Sequence, residues 1–132
     1  MKSLRTLFLL PVMLLFTACL DDELAFTVVA SPVNADIERV ADAPDGTVAY
    51  RATFTELDKT GILDVNVGII ATPVVDLELR IFSQTQDLLE TLTTDASGQT
   101  LFSVPAASLT GVTRLEWSGT YDGAAFRIIT NL

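Results

Sequence analysis

The side chains able to do chemistry in this 132-residue chain are almost all carboxylates: 17 Asp and Glu stand against eight Lys and Arg, with one cysteine and no histidine. Without histidine there is no Ser-His-Asp or Cys-His relay and no histidine-ligated zinc. Beyond the N-terminal segment the one lysine is Lys59, in a turn, and no Gly-x-Ser-x-Gly elbow or phosphate-cradling glycine loop is present. Two facing acids would suit glycoside hydrolysis, and Glu78 with Glu116 is the candidate pair. Both stand in outward phase on predicted strands, where a solvated charge is expected. Hard oxygen ligands suit calcium, and Asp42 with Asp45, or Asp58 with Asp64, are the candidate sets. Neither spacing matches a calcium loop, so turn-forming Asp is the preferred reading. No catalytic residue, metal ligand or cofactor is assigned, and a noncatalytic role is expected.

Strands must position these groups. Leu24 to Ala30 is rich in β-formers and stops at Ser31-Pro32, which reads as an edge strand. Asn34 to Val40 reads as a short strand, with a helical turn as the alternative, and Ala41 to Gly46 is a turn cluster. Thr47 to Leu57 alternates most clearly, with Val48, Tyr50, Ala52 and Phe54 inward. After the turn Asp58-Lys59-Thr60-Gly61, Ile62 to Ile70 alternates again, with Leu63, Val65, Val67 and Ile69 on one face. Ala71-Thr72-Pro73 is expected to break that strand. Val75, Leu77, Leu79 and Ile81 then point inward on a central strand.

Asp87 to Thr93 reads as a shorter edge strand whose phase Leu88, Leu89 and Leu92 leave open. Asp95 to Gly98 is a tight turn, Thr100 to Val104 a strand, and Pro105 to Thr110 a helical turn. Val112 to Tyr121 places Leu115, Trp117 and Tyr121 inward, with Trp117 as core anchor and Arg114, Glu116 and Thr120 outward. Asp122-Gly123 is the strongest hairpin signal, because a two-residue turn that matches strand twist needs positive φ at both positions. It pairs that strand with Ala124 to Thr130, where Phe126 and Ile128 face inward. About seven to nine short strands at this spacing, with no long helical period, predict an all-β antiparallel β-sandwich. Phe82, Ile70 and Ile129 fall on outer faces and form a binding patch if they cluster.

Lys2 and Arg5 precede an apolar run from Leu7 to Phe16, the layout of a secretory signal. The run is shorter than the roughly 20 apolar residues that span a bilayer. Thr17-Ala18-Cys19 follows, and here the chain resembles bacterial lipoprotein precursors, with Phe16 in place of the family's usual Leu. The resemblance implies that residues 1–18 are a removed signal and that Cys19 is acylated, giving a membrane contact through two or three acyl chains such as palmitate. An ordinary secretory signal with a stray thiol is the alternative. Residues 19–23 form the lipidated end and an acidic tether, and 24–132 the domain. Leu20, where the family's retention rule has Asp, implies an outer-membrane location. Asp21-Asp22-Glu23 resembles an acidic surface-export signal and equally suits a solvated spacer, so the domain faces either the periplasm or the cell surface.

From Cys19 on, six Lys and Arg meet all 17 acids, a formal charge of −11. That balance opposes nucleic acid and anionic lipid surfaces as partners. Val75 to Leu79 followed by Thr93-Thr94-Asp95-Ala96-Ser97-Gly98 resembles bacterial immunoglobulin-like domains of surface proteins. Thr55 to Gly61 is similar to an earlier turn of that family. The resemblance implies an immunoglobulin-like sandwich and transfers no functional residue, since its members range from spacers to adhesins. The expected function is a noncatalytic binding or adhesion module for an envelope protein or glycan. The alternative is a structural accessory subunit of an envelope complex, with no ligand of its own.

Overall fold

The structure, a computed structural model, describes residues 30–132. Cys19, the segment before it, the acidic tether and the strand expected to begin at Leu24 fall outside the described residues. Within them the chain forms eight antiparallel strands in two sheets, a β-sandwich. The strands are β1 (Asn34–Arg39), β2 (Thr47–Asp58), β3 (Ile70–Pro73), β4 (Glu78–Ser83), β5 (Leu88–Thr93), β6 (Gln99–Pro105), β7 (Arg114–Tyr121) and β8 (Ala124–Asn131). A short 3-10 helix, Ala106–Leu109, follows β6, as the sequence predicts for Pro105 to Thr110.

The first sheet is organised on β2. Its residues Thr47 to Thr53 pair with β6, Tyr50 is matched with Arg39 and Thr55 with Asn34 of β1, and Thr55 to Asp58 pair with β3. Since Thr55 already has β1 on one side, β3 lies on the same side as β6 and prolongs it. The second sheet runs β5-β4-β7-β8. The chain crosses between sheets after β3, β5 and β6, the Greek-key pattern of sandwich domains.

The core lies between the sheets because inward residues alternate along each strand. Ala52, Phe54, Leu79, Ile81, Phe102, Leu115 and Trp117 are fully withdrawn from water. Burial of each large side chain among them contributes about 1.5–3 kcal/mol. Two aromatic pairs tie the sheets together: Phe54 of β2 meets Phe126 of β8 at 6.2 Å, and Phe102 of β6 meets Trp117 of β7 edge-on at 5.9 Å. Trp117 is the anchor its phase predicts. Asp122 and Gly123 both take positive φ, 47° and 76°, and close the β7–β8 hairpin as expected.

Three expectations are corrected. Ile62 to Ile69 is not a strand but a coiled connection between β2 and β3, whose ends meet where Asp58 pairs with Ile70. The chain folds back at Asp64, whose carbonyl accepts the N–H groups of Val67 and Gly68, and among the described residues no partner strand covers the alternating apolar residues. Ala71-Thr72-Pro73 does not break a strand; with Ile70 it forms β3. Val75 is half-exposed and Val74 is buried in its place, because Asp76 adopts φ 55° and shifts the phase before Leu77. Thr94 fixes that kink from within, its Oγ1 accepting the Leu77 N–H at 2.9 Å and donating to the Val74 carbonyl at 2.6 Å. The unfixed phase of β5 is also explained. Ile81 pairs with Glu90 and Phe82 with Leu88, so Leu89 is a bulged residue at this sheet edge.

Candidate functional site

The outer face of the β5-β4-β7-β8 sheet collects the side chains most suited to recognition. Strand register puts Leu88, Phe82, Glu116 and Ile129 in one row across all four strands. The next row carries Thr91, Arg80, Ser118 and Arg127. Of the three outer apolar residues singled out in the sequence, Phe82 and Ile129 therefore flank Glu116, with Phe82 half-buried and Ile129 half-exposed. Ile70 lies on β3 in the other sheet and does not join them.

Glu116 departs from its expectation. Its phase is outward, yet it is only 1% exposed, because neighbouring side chains close over it. Arg127 reaches Oε1 at 2.5 Å and Arg114 reaches the same oxygen at 3.2 Å. Gln86 donates its amide to Oε2 at 2.8 Å. The hydrogen bond from Arg127, then that from Gln86, holds the carboxyl below its ordinary range against the opposing effect of burial.

Each partner is delivered by a different local rule. Arg114 precedes Glu116 by two residues on β7 and so shares its face. The Asp122-Gly123 hairpin pairs Ser118 with Arg127, which brings Arg127 diagonally beside Glu116. Gln86 comes from the β4–β5 turn and takes φ 66°, a left-handed conformation costing roughly 1–2 kcal/mol. Ser83, Thr85 and Asp87 hold that turn through the Ser83 Oγ to Thr85 Oγ1 bond at 2.7 Å and the Thr85 bond to the Asp87 carboxylate. The Arg114 and Arg127 signals were present in the sequence. Gln86 had none, since it depends on a turn conformation and on the β4–β7 register.

This arrangement suits binding rather than proton transfer. Glu116 has its oxygens occupied and its carboxyl stabilised in the charged form, so it is a poor general acid. Glu78 stands four residues from the Phe82 position that pairs with Glu116, about 13 Å along the sheet at about 3.3 Å per residue. Glycosidase carboxyls lie about 5–9.5 Å apart. The two acids are not brought together. Arg114 and Arg127 have side chains 43% and 52% exposed, although the Nε of Arg114 is buried without a partner.

The aspartates proposed for calcium are turn-formers in the structure. Asp58 accepts the Thr60 N–H and Asp64 the Asn66 N–H, each at 2.9 Å. The Thr60 bond also lowers the Asp58 carboxyl from its ordinary pKa. Asp42 and Asp45 are exposed around the β1–β2 turn. Among the described residues no three His, Cys, Asp or Glu side chains converge as a metal site, and no helix is long and apolar enough to cross a membrane. No protein-family model, curated protein or solved structure matches the chain.

Proposed function

We propose that this chain is a lipid-anchored outer-membrane protein whose sandwich is a noncatalytic module that binds an envelope protein or glycan. The anchor is acylated Cys19, and the binding surface is the outer face of the β5-β4-β7-β8 sheet. One observation carries the choice of surface. Residues 30–132 contain six Lys and Arg among 14 acids, and three of the six, Arg80, Arg114 and Arg127, gather on this single face. A face with three guanidiniums against two acids, Glu78 and the buried Glu116, stands out on an acidic body, and interleaved with Phe82, Leu88 and Ile129 it is complementary to a partner that offers carboxylates or other anionic groups beside apolar surface. Buried Glu116 holds two of the guanidiniums in place, so less side-chain entropy is lost when they bind.

The test is site-specific photo-crosslinking in intact cells, with the reactive residue placed at Arg80, at Ile129, or at Thr72 on the other sheet. Discrete adducts from the first two positions and none from Thr72 are expected. Adducts from Thr72 alone would refute the assignment of the face. Protease shaving of the same cells, with a periplasmic control, tells whether the partner is outside the cell or beneath the outer membrane.

A further inference from the structure

The connection between β2 and β3 holds the most exposed apolar side chains of the described residues. Leu63 is 98% and Val65 97% exposed, and Ile62, Val67, Ile69 and Ile70 are each about half-exposed. Such a contiguous apolar tip on an acidic domain marks an interaction site. Its backbone is partly self-satisfied. The N–H groups of Ile62, Asp64, Val67 and Gly68 donate to carbonyls within the loop, and that of Asn66 donates to the Asp64 carboxylate. Donors paired in this way cost little on leaving water, whereas the N–H groups of Leu63, Val65 and Ile69 have no partner among the described residues, so only shallow entry, where water still reaches the backbone, is open to the loop.

Topology says which surface lies nearest. β1 begins at Asn34, paired with Thr55, and β2 ends at Asp58, paired with Ile70, so the chain enters the sandwich at the end from which this loop projects. Val33 is buried at that entry and fixes it. The β1–β2 turn, residues 40–46, lies at the opposite end. Between Cys19 and Ala30 there are ten residues, and the eleven Cα steps across them reach at most about 40 Å.

We infer that the loop Ile62–Ile70 inserts into the headgroup and upper acyl region of the bilayer that holds the chain's own anchor. This rests on the reading of Cys19 as acylated. The anchor supplies a high local concentration of bilayer at the entry end, so a weakly partitioning loop is enough. Lys59 stands at the base of the loop, where its ammonium reaches phosphate while its stem stays apolar. Asp64, at the fold-back, keeps insertion shallow. A second copy is the poorer occupant, because bodies of like charge repel. The same charge makes zwitterionic lipid the preferred surface. Standing on this loop, the domain presents its arginine face sideways.

The test uses the chain from Cys19 onward, whose buried core, among the described residues, runs from Val33 to Phe126. Its single thiol is coupled to a maleimide-bearing lipid in phosphatidylcholine vesicles, so attachment does not depend on biological acylation. Leu63→Trp is compared with Asp42→Trp, in the β1–β2 turn, and with the unaltered chain, whose Trp117 is buried. Brominated acyl chains should roughly halve the added emission of Leu63→Trp, as expected for a side chain at the headgroup and acyl boundary, and leave the other two unchanged. Adding anionic lipid should weaken the quenching. Equal emission from Leu63→Trp and Asp42→Trp would overturn the inference. Mass analysis of Cys19 in protein taken from the envelope tests the anchor separately. Acylated Cys19 with no quenching refutes insertion alone, whereas unacylated Cys19 refutes the anchor and removes the setting in which the loop would act.

Discussion

Replacing Gly98 by alanine should destabilise the domain by far more than the same change at Gly123, although both glycines have left-handed backbones, φ 70° and 76°. Gly98 is pressed against β2: its carbonyl accepts the Phe54 N–H at 2.8 Å, and its own N–H donates to Asp95 at 2.9 Å. A Cβ there would stand 2.5 Å from the Phe54 carbonyl oxygen and 3.0 Å from the Val74 nitrogen, against the hydrogen bond that joins those two residues. At Gly123 an added Cβ meets nothing within 4 Å. The left-handed conformation costs about 1–2 kcal/mol at either site. Relieving a backbone clash adds about 1–3 kcal/mol at Gly98 alone. Gly98→Ala should therefore cost about 2–5 kcal/mol, a fall of about 10–25 °C in Tm for a domain of this size. Gly123→Ala should lose only the first part. Thermal and urea unfolding followed by Trp117 fluorescence would measure both. Equal losses would refute the reasoning, since they would mean that β2 yields freely to the turn.

Glu116→Gln should lower Tm most at neutral pH. The carboxyl is held below its ordinary 4.5, so the folded state binds its proton less readily than the unfolded one. Its stabilisation is complete above 4.5 and disappears as pH falls through the lowered folded value. The gap between wild type and variant should narrow as pH falls below 4.5, and a gap of constant size from neutral pH down to acid unfolding would contradict the arginine pairing. Thr94→Val keeps the shape of a side chain 2% exposed but orphans the Leu77 N–H and the Val74 carbonyl, at a cost of about 1–3 kcal/mol. A shifted denaturant midpoint with an unchanged slope would register it. A loss below a few tenths of a kcal/mol would mean that other groups fix the Asp76 kink.

Alternation was informative wherever a strand had one covered face. Val48 to Phe54 on β2 and Leu115 to Trp117 on β7 were legible because their inward residues meet the opposite sheet. Ile62 to Ile70 shows the limit of the same signal. Periodicity marks an apolar face without saying that another strand lies against it, and here the fold-back at Asp64 prevents pairing. Val75 was misplaced by one residue because Asp76 takes a left-handed conformation that its residue type permits but does not announce. For Glu116 the phase was read correctly and the environment was not. Outward on a strand means solvated only if no long cation reaches across. Arg127 does so through a hairpin already visible in Asp122-Gly123, whereas Gln86 arrives from a separate turn.

The bulge at Leu89 bears on how densely such a chain can be packed. β5 is one of the two edges of its sheet, β8 being the other, and an open edge invites another copy to add a strand. The extra residue turns Leu88 to the outer face, while Glu90, in regular alternation with Leu92, points inward opposite the buried Ile81 with its Oε2 out of water and without a partner. An incoming strand would bury that carboxylate further and would meet an irregular ladder. Among many copies crowded side by side in two dimensions, fibril-like growth through this edge is therefore opposed by one misaligned residue and one inward acid.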